Sequence, residues 1–443
     1  MRLRRPRRLL VVAVALAVLA TACGDDASNA ETADPDPDPA ENGAGDDADG
    51  SVAAVGDCSA ASAFEPDVDA VLCDPLDPDA DPAEFAVTRI SSTEREDVPS
   101  ALDDARQDVF EPALIDLDRV LSGGPPPDGI PAIDEPLFQS AASVDWLAAG
   151  EAVLAFELGD EARAYPIQIM TWHELVNDTV ADVPVTISYC PLCNSALAYD
   201  RRLGDRILDF GTSGRLYNSS MVMYDRQTES LWTHYDGTSV AGVLVGAELE
   251  TFPISTISWE DFREIHPDGL VLTRNTGHRA RDYGTNPYGG YDNAEGRPFL
   301  YDGEFDDRLP PKERVVVVRD DDEPAVSIPL VDLIAAGVIE FEAHGRRLVA
   351  VNDRGTASPL DHRQIAEGYD QGASNVFLAE LDGVPLDLER TDDGFLDRTS
   401  GLTFDVLGGD VAGSDARLTP IEHLDTFWFA IAAFEPDVSI VGR

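Results

Sequence analysis

The stretch that decides the fold is Thr186-Ile187-Ser188-Tyr189-Cys190-Pro191-Leu192-Cys193-Asn194-Ser195, in which an apolar run meets a CxxC pair. The pattern of residues 183–189 predicts a strand that delivers Cys190 at its end. A CxxC loop lets two sulfurs converge on one point, so it serves either as a redox disulfide or as half of a soft-metal site. We therefore expect the chemistry of the protein to lie at Cys190 and Cys193.

The flanking sequence predicts further strands and short helices around this loop. Upstream, residues 152–158 and 162–166 form a predicted hairpin across Gly159-Asp160, followed by a helix over about 167–177 that carries His173. Downstream, strands are predicted near 195–200, 207–211, 220–224, 231–235, 249–253 and 270–273, with a helix near 259–265. Because a strand rather than a helix follows the CxxC pair, a thioredoxin-like arrangement is disfavoured.

The order of these elements predicts an α+β, strand-rich protein of mainly antiparallel sheet with short helices. Residues 313–339 parallel residues 151–175 in order and spacing, which suggests two weakly repeated lobes. We also predict an amphipathic helix over 97–110 and a rigid, turn-rich segment over 123–133. The predicted divisions are a signal peptide (1–22), a lipidated acidic tether (23–56), an N-terminal arm (57–135), a first lobe with the CxxC pair (136–275), a connecting segment (276–312) and a second lobe (313–443).

The N-terminus has the pattern of an export signal. Five arginines precede an apolar run over 9–20, which is too short to cross a hydrocarbon core of about 30 Å as a helix. Thr21-Ala22-Cys23-Gly24 then resembles a bacterial lipobox, in which the cysteine thiol is acylated. We expect an extracytoplasmic protein anchored to the cell membrane by a lipid on Cys23, exported by either the general or the twin-arginine route.

The charge and the cysteine content of the chain limit which binding partners and metal ligands are expected. The chain holds 84 Asp and Glu against 32 Lys and Arg, for a net charge of −52, so nucleic acid is not an expected partner. Lys312 is the single lysine, which leaves positive charge almost entirely to guanidinium groups. Cys58 and Cys73, in an exported protein, predict a structural disulfide, and this leaves the CxxC pair without them as metal ligands.

Three functions remain open for the CxxC pair. The leading hypothesis is a soft-metal site for Zn or Cu, in which Cys190 and Cys193 are joined by His173 or, less favoured, by His234. The second is a thiol-disulfide oxidoreductase with Cys190 and Cys193 as its catalytic residues. The third is a non-enzymatic binding or scaffold lipoprotein in which the pair is an inert staple.

A second polar group follows the thiols in sequence. It comprises Arg215, the run from Asp225 and Arg226 to Ser230, and Trp232. These side chains could stitch a hairpin together by hydrogen bonds, or an arginine could lie beside the cysteines, lower their pKa and hold an anionic ligand. Both uses are compatible.

From about residue 100 to the C-terminus the chain resembles the bacterial family called domain of unknown function 3179, through four ordered motifs at residues 123–133, 173–178, 189–193 and 224–232. Pro127 lies where a lysine is usual, and Asn194 lies where glycine usually follows the second cysteine. Asn tolerates a left-handed backbone, so the loop can keep its shape. The resemblance implies no particular reaction, but it implies a set of candidate site residues: His173, Cys190, Cys193, Asp225, Arg226 and Trp232.

Overall fold

The computed structural model describes residues 84–320 and 322–442. The predicted signal peptide, Cys23, the acidic tether, and Cys58 and Cys73 lie outside the described residues. Among the described residues, no helix has the length and apolar character needed to cross a membrane.

Short strands dominate the chain. The first half contains β1 (Phe85–Ala86), β2 (Leu121–Ser122), β3 (Leu137–Ser140), β4 (Ala152–Leu158), β5 (Glu161–Pro166), β6 (Leu175–Val180), β7 (Val183–Cys190), β8 (Ser195–Asp200), β9 (Arg202–Leu203), β10 (Arg206–Ile207), β11 (Phe210–Tyr217), β12 (Ser220–Asp225), β13 (Leu231–Thr233), β14 (Ser239–Ala241), β15 (Thr251–Phe252), β16 (Ser255–Ser258) and β17 (Leu270–Leu272). The second half contains β18 (Arg314–Val318), β19 (Val326–Pro329), β20 (Val338–Ala343), β21 (Arg346–Asp353), β22 (Ala373–Leu378), β23 (Glu380–Leu381), β24 (Val384–Pro385), β25 (Leu388–Thr391), β26 (Gly394–Asp397), β27 (Thr403–Phe404), β28 (Leu424–Phe427) and β29 (Ser439–Ile440).

The helices are equally short. The described chain forms α1 (Ile167–His173), α2 (Trp259–Ile265), α3 (Leu330–Ala336) and α4 (Trp428–Phe434). Three single 3-10 turns lie at Leu117–Arg119, Ala141–Ser143 and Ile365–Glu367.

The strands pair into several sheets. The larger ones have the orders β1-β3-β17-β5-β4-β16, β14-β13-β12-β11-β2, β15-β8-β7-β6, β28-β18-β19-β29, β20-β21-β22 and β25-β26-β27. Neighbouring strands run antiparallel except for two parallel pairs, β17 with β5 and β19 with β29. The predicted class, α+β with mainly antiparallel sheet and short helices, is confirmed.

The sheet that contains β4 and the sheet that contains β18 are connected in the same order. In each, a hairpin leads into a short helix directly after a proline, Pro166 or Pro329. In each, a later strand-helix-strand unit adds one strand beside the first hairpin strand and another beside the second. The helix in each ends at a residue with positive φ, Glu174 at 60° and Gly337 at 77°. Glu174 and Gly337 therefore occupy corresponding places.

The hydrophobic core is continuous between the two halves. One cluster brings Cys190 and Trp232 of the first half together with Phe427 of the second. Another joins Val153 to Phe377. Because each cluster draws on both halves, neither half buries its apolar surface alone, and the CxxC pair lies in the shared region.

Several predicted elements need new boundaries. β7, β8 and α2 form close to where the pattern predicts them. The helix predicted over 167–177 ends at His173, because Glu174 adopts a left-handed conformation and the following residues pair with β7 as β6.

The amphipathic helix predicted over 97–110 is wrong, because this segment is a series of turns. The Ser100 hydroxyl accepts a hydrogen bond from Asp103 N at 3.0 Å, and Asp104 Oδ1 accepts one from Arg106 N at 2.9 Å. Such side-chain bonds compete with the helical backbone pattern. The apolar residues of the segment pack on the sheet of β12, β13 and β14.

Residues 273–313 connect β17 to β18 without a named helix or strand, and we call them the cap segment. Both halves of the protein hold it in place. Trp172 Nε1 donates a hydrogen bond to Thr285 O at 3.1 Å, and Trp428 Nε1 donates one to Asp306 O at 3.1 Å. Ordered segments of this length without regular structure are uncommon and are usually functional.

Candidate functional site

The CxxC pair occupies the turn between two antiparallel strands. β7 ends at Cys190, β8 begins at Ser195, and these two residues pair across the hairpin. Cys193 N donates to Cys190 O at 3.2 Å, and Asn194 N donates to Pro191 O at 3.3 Å. The predicted strand after the cysteines is confirmed, so no helix N-terminus is present here to lower a thiol pKa.

The two sulfurs are close but unbonded. Cys190 Sγ and Cys193 Sγ lie 2.9 Å apart as free thiols, whereas a disulfide would bring them to about 2.05 Å. The two residues are 1% and 2% exposed. Burial, with further contributions from Cys193 and Glu174, raises the pKa of the Cys190 thiol well above its usual value. Cys190 therefore keeps its proton at neutral pH in this arrangement.

Strand β28 holds the loop from the second half of the chain. Phe427 N donates a hydrogen bond to Cys193 O at 2.9 Å, and Thr426 Oγ1 donates a second one at 3.0 Å. A single carbonyl next to one sulfur thus takes two bonds from a strand more than two hundred residues away in sequence. The second half fixes the position of Cys193.

A buried carboxyl group lies beside the thiols. Glu174 is 6% exposed, and its charge is near enough to Cys190 to raise the pKa of that thiol. Tyr288 Oη donates to Glu174 Oε1 at 3.3 Å, and no arginine or lysine pairs with this carboxylate among the described residues. Burial raises the pKa of Glu174 to about 7, partly offset by the Tyr288 bond. Its protonation state therefore changes near neutral pH.

Sequence reasoning missed both Glu174 and Tyr288 as site residues. Glu174 belongs to a quoted motif, but only its neighbour His173 was considered for chemistry. The signal in the sequence was that Glu174 occupies the place that Gly337 has in the second unit. The backbone there is left-handed, which favours glycine. A side chain held in such a conformation often marks a functional position. Tyr288 lies in the cap segment, which has no periodicity to analyse.

His173 does not join the thiols. Its Nδ1 donates a hydrogen bond to Pro131 O at 2.7 Å, so its Nε2 is the acceptor of the Tyr283 hydroxyl at 2.6 Å. Burial lowers the pKa of His173 to about 3, which keeps the ring neutral. The ring ties the turn-rich segment at 123–133 and the cap segment to the end of α1.

His234 bridges the two strands that carry the cysteines. Its Nδ1 is bonded to Ser188 Oγ at 2.7 Å and its Nε2 to Ser195 Oγ at 2.9 Å. The residue is fully buried, and burial lowers its pKa to about 3. Both ring nitrogens are thus used to join β7 to β8.

The predicted metal-ligand set is therefore not assembled. Both nitrogens of His173 and both nitrogens of His234 are engaged by other groups. Among the described residues, no three or more His, Cys, Asp or Glu side chains are grouped so as to hold a metal ion. A Zn or Cu site built from Cys190, Cys193 and His173 would require His173 to break its bonds to Pro131 and Tyr283, and this hypothesis stays a prediction.

Asp225 is the centre of a buried hydrogen-bond network. Its carboxylate accepts bonds from Thr228 N at 2.6 Å, Thr228 Oγ1 at 2.9 Å, Ser230 N at 3.2 Å and Trp232 Nε1 at 2.9 Å. The Trp232 ring packs edge-on against Phe210 in the cluster that contains the cysteines. The polar group after the thiols thus stitches a hairpin together, as one of the two predicted uses requires.

The two arginines of that group lie elsewhere. Arg226 pairs with Asp134 and, at 3.3 Å, with Asp128. Arg215 donates to the backbone carbonyls of Ala101 and Leu102. These guanidinium groups fasten the upstream segments to β11 and β12, and the prediction that one of them lies beside the cysteines does not fit these contacts.

Asn194 confirms the expected left-handed residue, with a φ of 52°. Its Oδ1 also accepts a bond from Tyr189 Oη at 3.1 Å.

We expect Asn194→Gly to change the free energy of unfolding by less than about 1 kcal/mol, because glycine adopts positive φ without steric cost but loses the Tyr189 hydrogen bond. Asn194→Val should cost about 2 kcal/mol or more, since a β-branched side chain disfavours positive φ. Urea unfolding of both variants measures this, and equal losses would contradict the role of the backbone.

Comparison with known proteins gives one match. A family model described as "Protein of unknown function (DUF3179)" matches residues 127–438, which include the thiol pair, Glu174 and the Asp225 network. No curated protein and no solved structure matches the chain.

Proposed function

Since the chain belongs to the DUF3179 family, whose description states no reaction, we propose a function from the site itself: a thiol-disulfide oxidoreductase that uses Cys190 and Cys193. The observation that carries the proposal is the pair of free thiols with sulfurs 2.9 Å apart. Closing that distance by less than about 1 Å forms a disulfide without rebuilding the turn. The neighbouring carboxyl group of Glu174 supports the same conclusion, because thiol exchange needs a proton acceptor.

The proposed exchange transfers two electrons. Cys193 loses its proton and attacks one sulfur of a partner disulfide, which breaks the partner S–S bond and releases one partner thiol carrying that proton. Cys190 gives its proton to the Glu174 carboxylate and attacks the mixed disulfide at Cys193. The second partner sulfur leaves and takes the proton from Glu174. The pair ends as a disulfide, and the partner ends as two thiols.

The assignment of roles follows from the surroundings of each sulfur. The raised pKa of Cys190 suits the thiol that reacts second, after Glu174 has taken its proton. The Cys193 Sγ lies 3.9 Å from Ser219 O, and the Ser219 hydroxyl donates a hydrogen bond to Phe299 O of the cap segment. A partner that moves the cap segment would meet Cys193 first.

The test is the redox equilibrium of the pair. The full chain is equilibrated in glutathione and dithiothreitol buffers of graded potential, alkylated and mapped by mass spectrometry, so that Cys190 and Cys193 are scored separately from Cys58 and Cys73. We expect half-oxidation of the pair between about −300 and −180 mV, near the potentials of known exchange proteins. Cys190→Ser should trap a mixed disulfide between Cys193 and a dithiol partner.

Two results would overturn the proposal. A pair that stays a disulfide below about −300 mV would be a structural staple. Release of one equivalent of zinc or copper on alkylation of the two thiols would instead support the metal hypothesis.

The location of the protein is part of the same proposal. An exported lipoprotein anchored through Cys23 would place the thiol pair outside the cytoplasm, where partner disulfides are common. The N-terminal sequence supports this placement. Labelling of the mature protein with a fatty-acid analogue, lost in Cys23→Ala, tests it.

A further inference from the structure

The cap segment carries a group of exposed apolar side chains. Phe299, Leu300 and Phe305 are 47%, 38% and 37% exposed, and we call these three residues the apolar tip. The described part of the chain has eleven exposed large apolar residues, and three of them fall between residues 299 and 305. Single exposed apolar side chains are ordinary, but three within seven residues indicate a binding surface.

The backbone of the tip is strained. Leu300 has a φ of 49°, in the left-handed region that bulky residues rarely adopt. Its side chain is still substantially exposed, so burial does little to offset this cost. Strained conformations of this kind are found preferentially at binding sites.

The backbone of Phe299 connects the apolar tip to Cys193 through Ser219. Ser219 Oγ donates a hydrogen bond to Phe299 O, and Ser219 O lies 3.9 Å from Cys193 Sγ. On its other side, Phe299 N donates to Tyr291 Oη at 3.1 Å, and Tyr291 is near enough to the cysteines to sense their charge. The backbone of Phe299 is thus held by Ser219, which contacts Cys193, and by Tyr291, so a shift of Phe299 would free the Ser219 side chain next to the thiol.

The charge around the tip is acidic on balance and indicates which partner fits it. Residues 295–308 hold five acidic side chains and two arginines. Arg297 lies over the Phe305 ring at 5.5 Å, Arg308 pairs with Asp306 at 2.7 Å, and Asp302, Glu304 and Asp307 are exposed. Acidic groups here, in a chain with a net charge of −52, repel anionic lipid headgroups and a second copy of the chain. An apolar peptide flanked by lysine or arginine complements both features.

We propose that the apolar tip is the docking surface for an apolar, basic-flanked stretch of an unfolded exported polypeptide, and that docking draws Phe299 away from Ser219 and exposes Cys193 to the disulfide of that polypeptide. The second half of this inference rests on the proposed exchange reaction; the docking itself does not. Burial of the tip side chains by the partner offsets the cost of the hydrogen bond lost at Ser219.

The first experiment measures docking without redox chemistry. The probe is a fluorescently labelled, cysteine-free peptide with an apolar centre of leucine and phenylalanine flanked by lysines, and its binding to the full chain is followed by anisotropy. We expect Phe299→Ser combined with Leu300→Ser to weaken binding about tenfold or more, because two apolar side chains leave the contact. Val384→Ser is the matched control, since Val384 is 51% exposed in a different part of the fold. Equal binding by wild type and the tip variant would overturn the proposal, as would tighter binding to anionic vesicles than to the polypeptide.

The second experiment links docking to exchange. The rate at which the reduced protein reduces scrambled, disulfide-bonded lysozyme, a basic protein, is divided by its rate with oxidised glutathione. This ratio should fall in the tip variant and keep its wild-type value in Val384→Ser; an unchanged ratio in the tip variant overturns the gating role. If wild type reduces neither substrate, the exchange reaction fails while the anisotropy result still decides whether the tip binds polypeptide.

Discussion

Asp225→Ala is expected to lower the free energy of unfolding by roughly 3 to 5 kcal/mol, because it leaves several buried donors without partners. Trp232 Nε1 and the backbone N–H groups of Thr228 and Ser230 all donate to this carboxylate. Trp232 is fully buried and cannot turn to water. Urea unfolding at pH 7, followed by tryptophan fluorescence, measures the loss.

Asp236→Ala is the matched control for this change. Asp236 also caps a turn, accepting bonds from Thr238 N at 3.1 Å and from the Thr233 hydroxyl, but it is exposed to solvent, and that hydroxyl also lies 3.3 Å from Thr238 O as a second acceptor. Water can replace the lost acceptor there, so the expected cost is about 1 kcal/mol or less. Similar losses in the two variants would mean that burial of the Asp225 network does not set its contribution.

The local structure around the thiols could be predicted from the sequence. The strand that ends at Cys190, the strand that follows Cys193 and the left-handed Asn194 all follow from short-range sequence pattern. Each depends on residues within a few positions of one another, and propensity and turn chemistry determine such features.

The residues that surround the thiols could not be predicted from the sequence in the same way. The groups that hold Cys193 come from β28 and, by way of Ser219, from the cap segment. Their sequence separation from the CxxC loop is large, and the cap segment has no period that would place it. Tyr288 therefore could not be assigned to Glu174 from pattern alone.

His173 illustrates the same limit from the opposite side. Its position at the end of a helix before the Cys190 strand favoured a ligand role, but spacing along the chain does not determine which way a ring faces. Pro131 and Tyr283 take its two nitrogens, and both come from irregular segments. Glu174, one residue later, ends the helix with a positive φ, and its carboxyl group accepts the Tyr288 bond and acts electrostatically on Cys190.

Glu174→Gln is expected to remove a pH dependence of stability that amounts to roughly 3 kcal/mol. Burial raises the pKa of Glu174 to about 7 in the folded protein from its ordinary 4.5. The folded state thus binds this proton more tightly than the unfolded chain. The contribution to stability is fully present below pH 4.5, and it is lost as the pH rises through about 7. Glutamine stays neutral and can still accept the Tyr288 bond, so it avoids that loss.

Urea unfolding of wild type and Glu174→Gln at pH 5 and pH 8 isolates this effect. The variant should be slightly more stable than wild type at pH 5 and clearly more stable at pH 8. Other buried carboxyl groups with raised pKa, such as Asp261, shift both proteins alike and cancel in the difference. Glu380→Gln, at an exposed position, is the matched control for the substitution itself. A constant difference between wild type and Glu174→Gln at both pH values would mean that the carboxyl group beside Cys190 does not titrate near neutrality, and the proton acceptor of the exchange reaction would have to be another group.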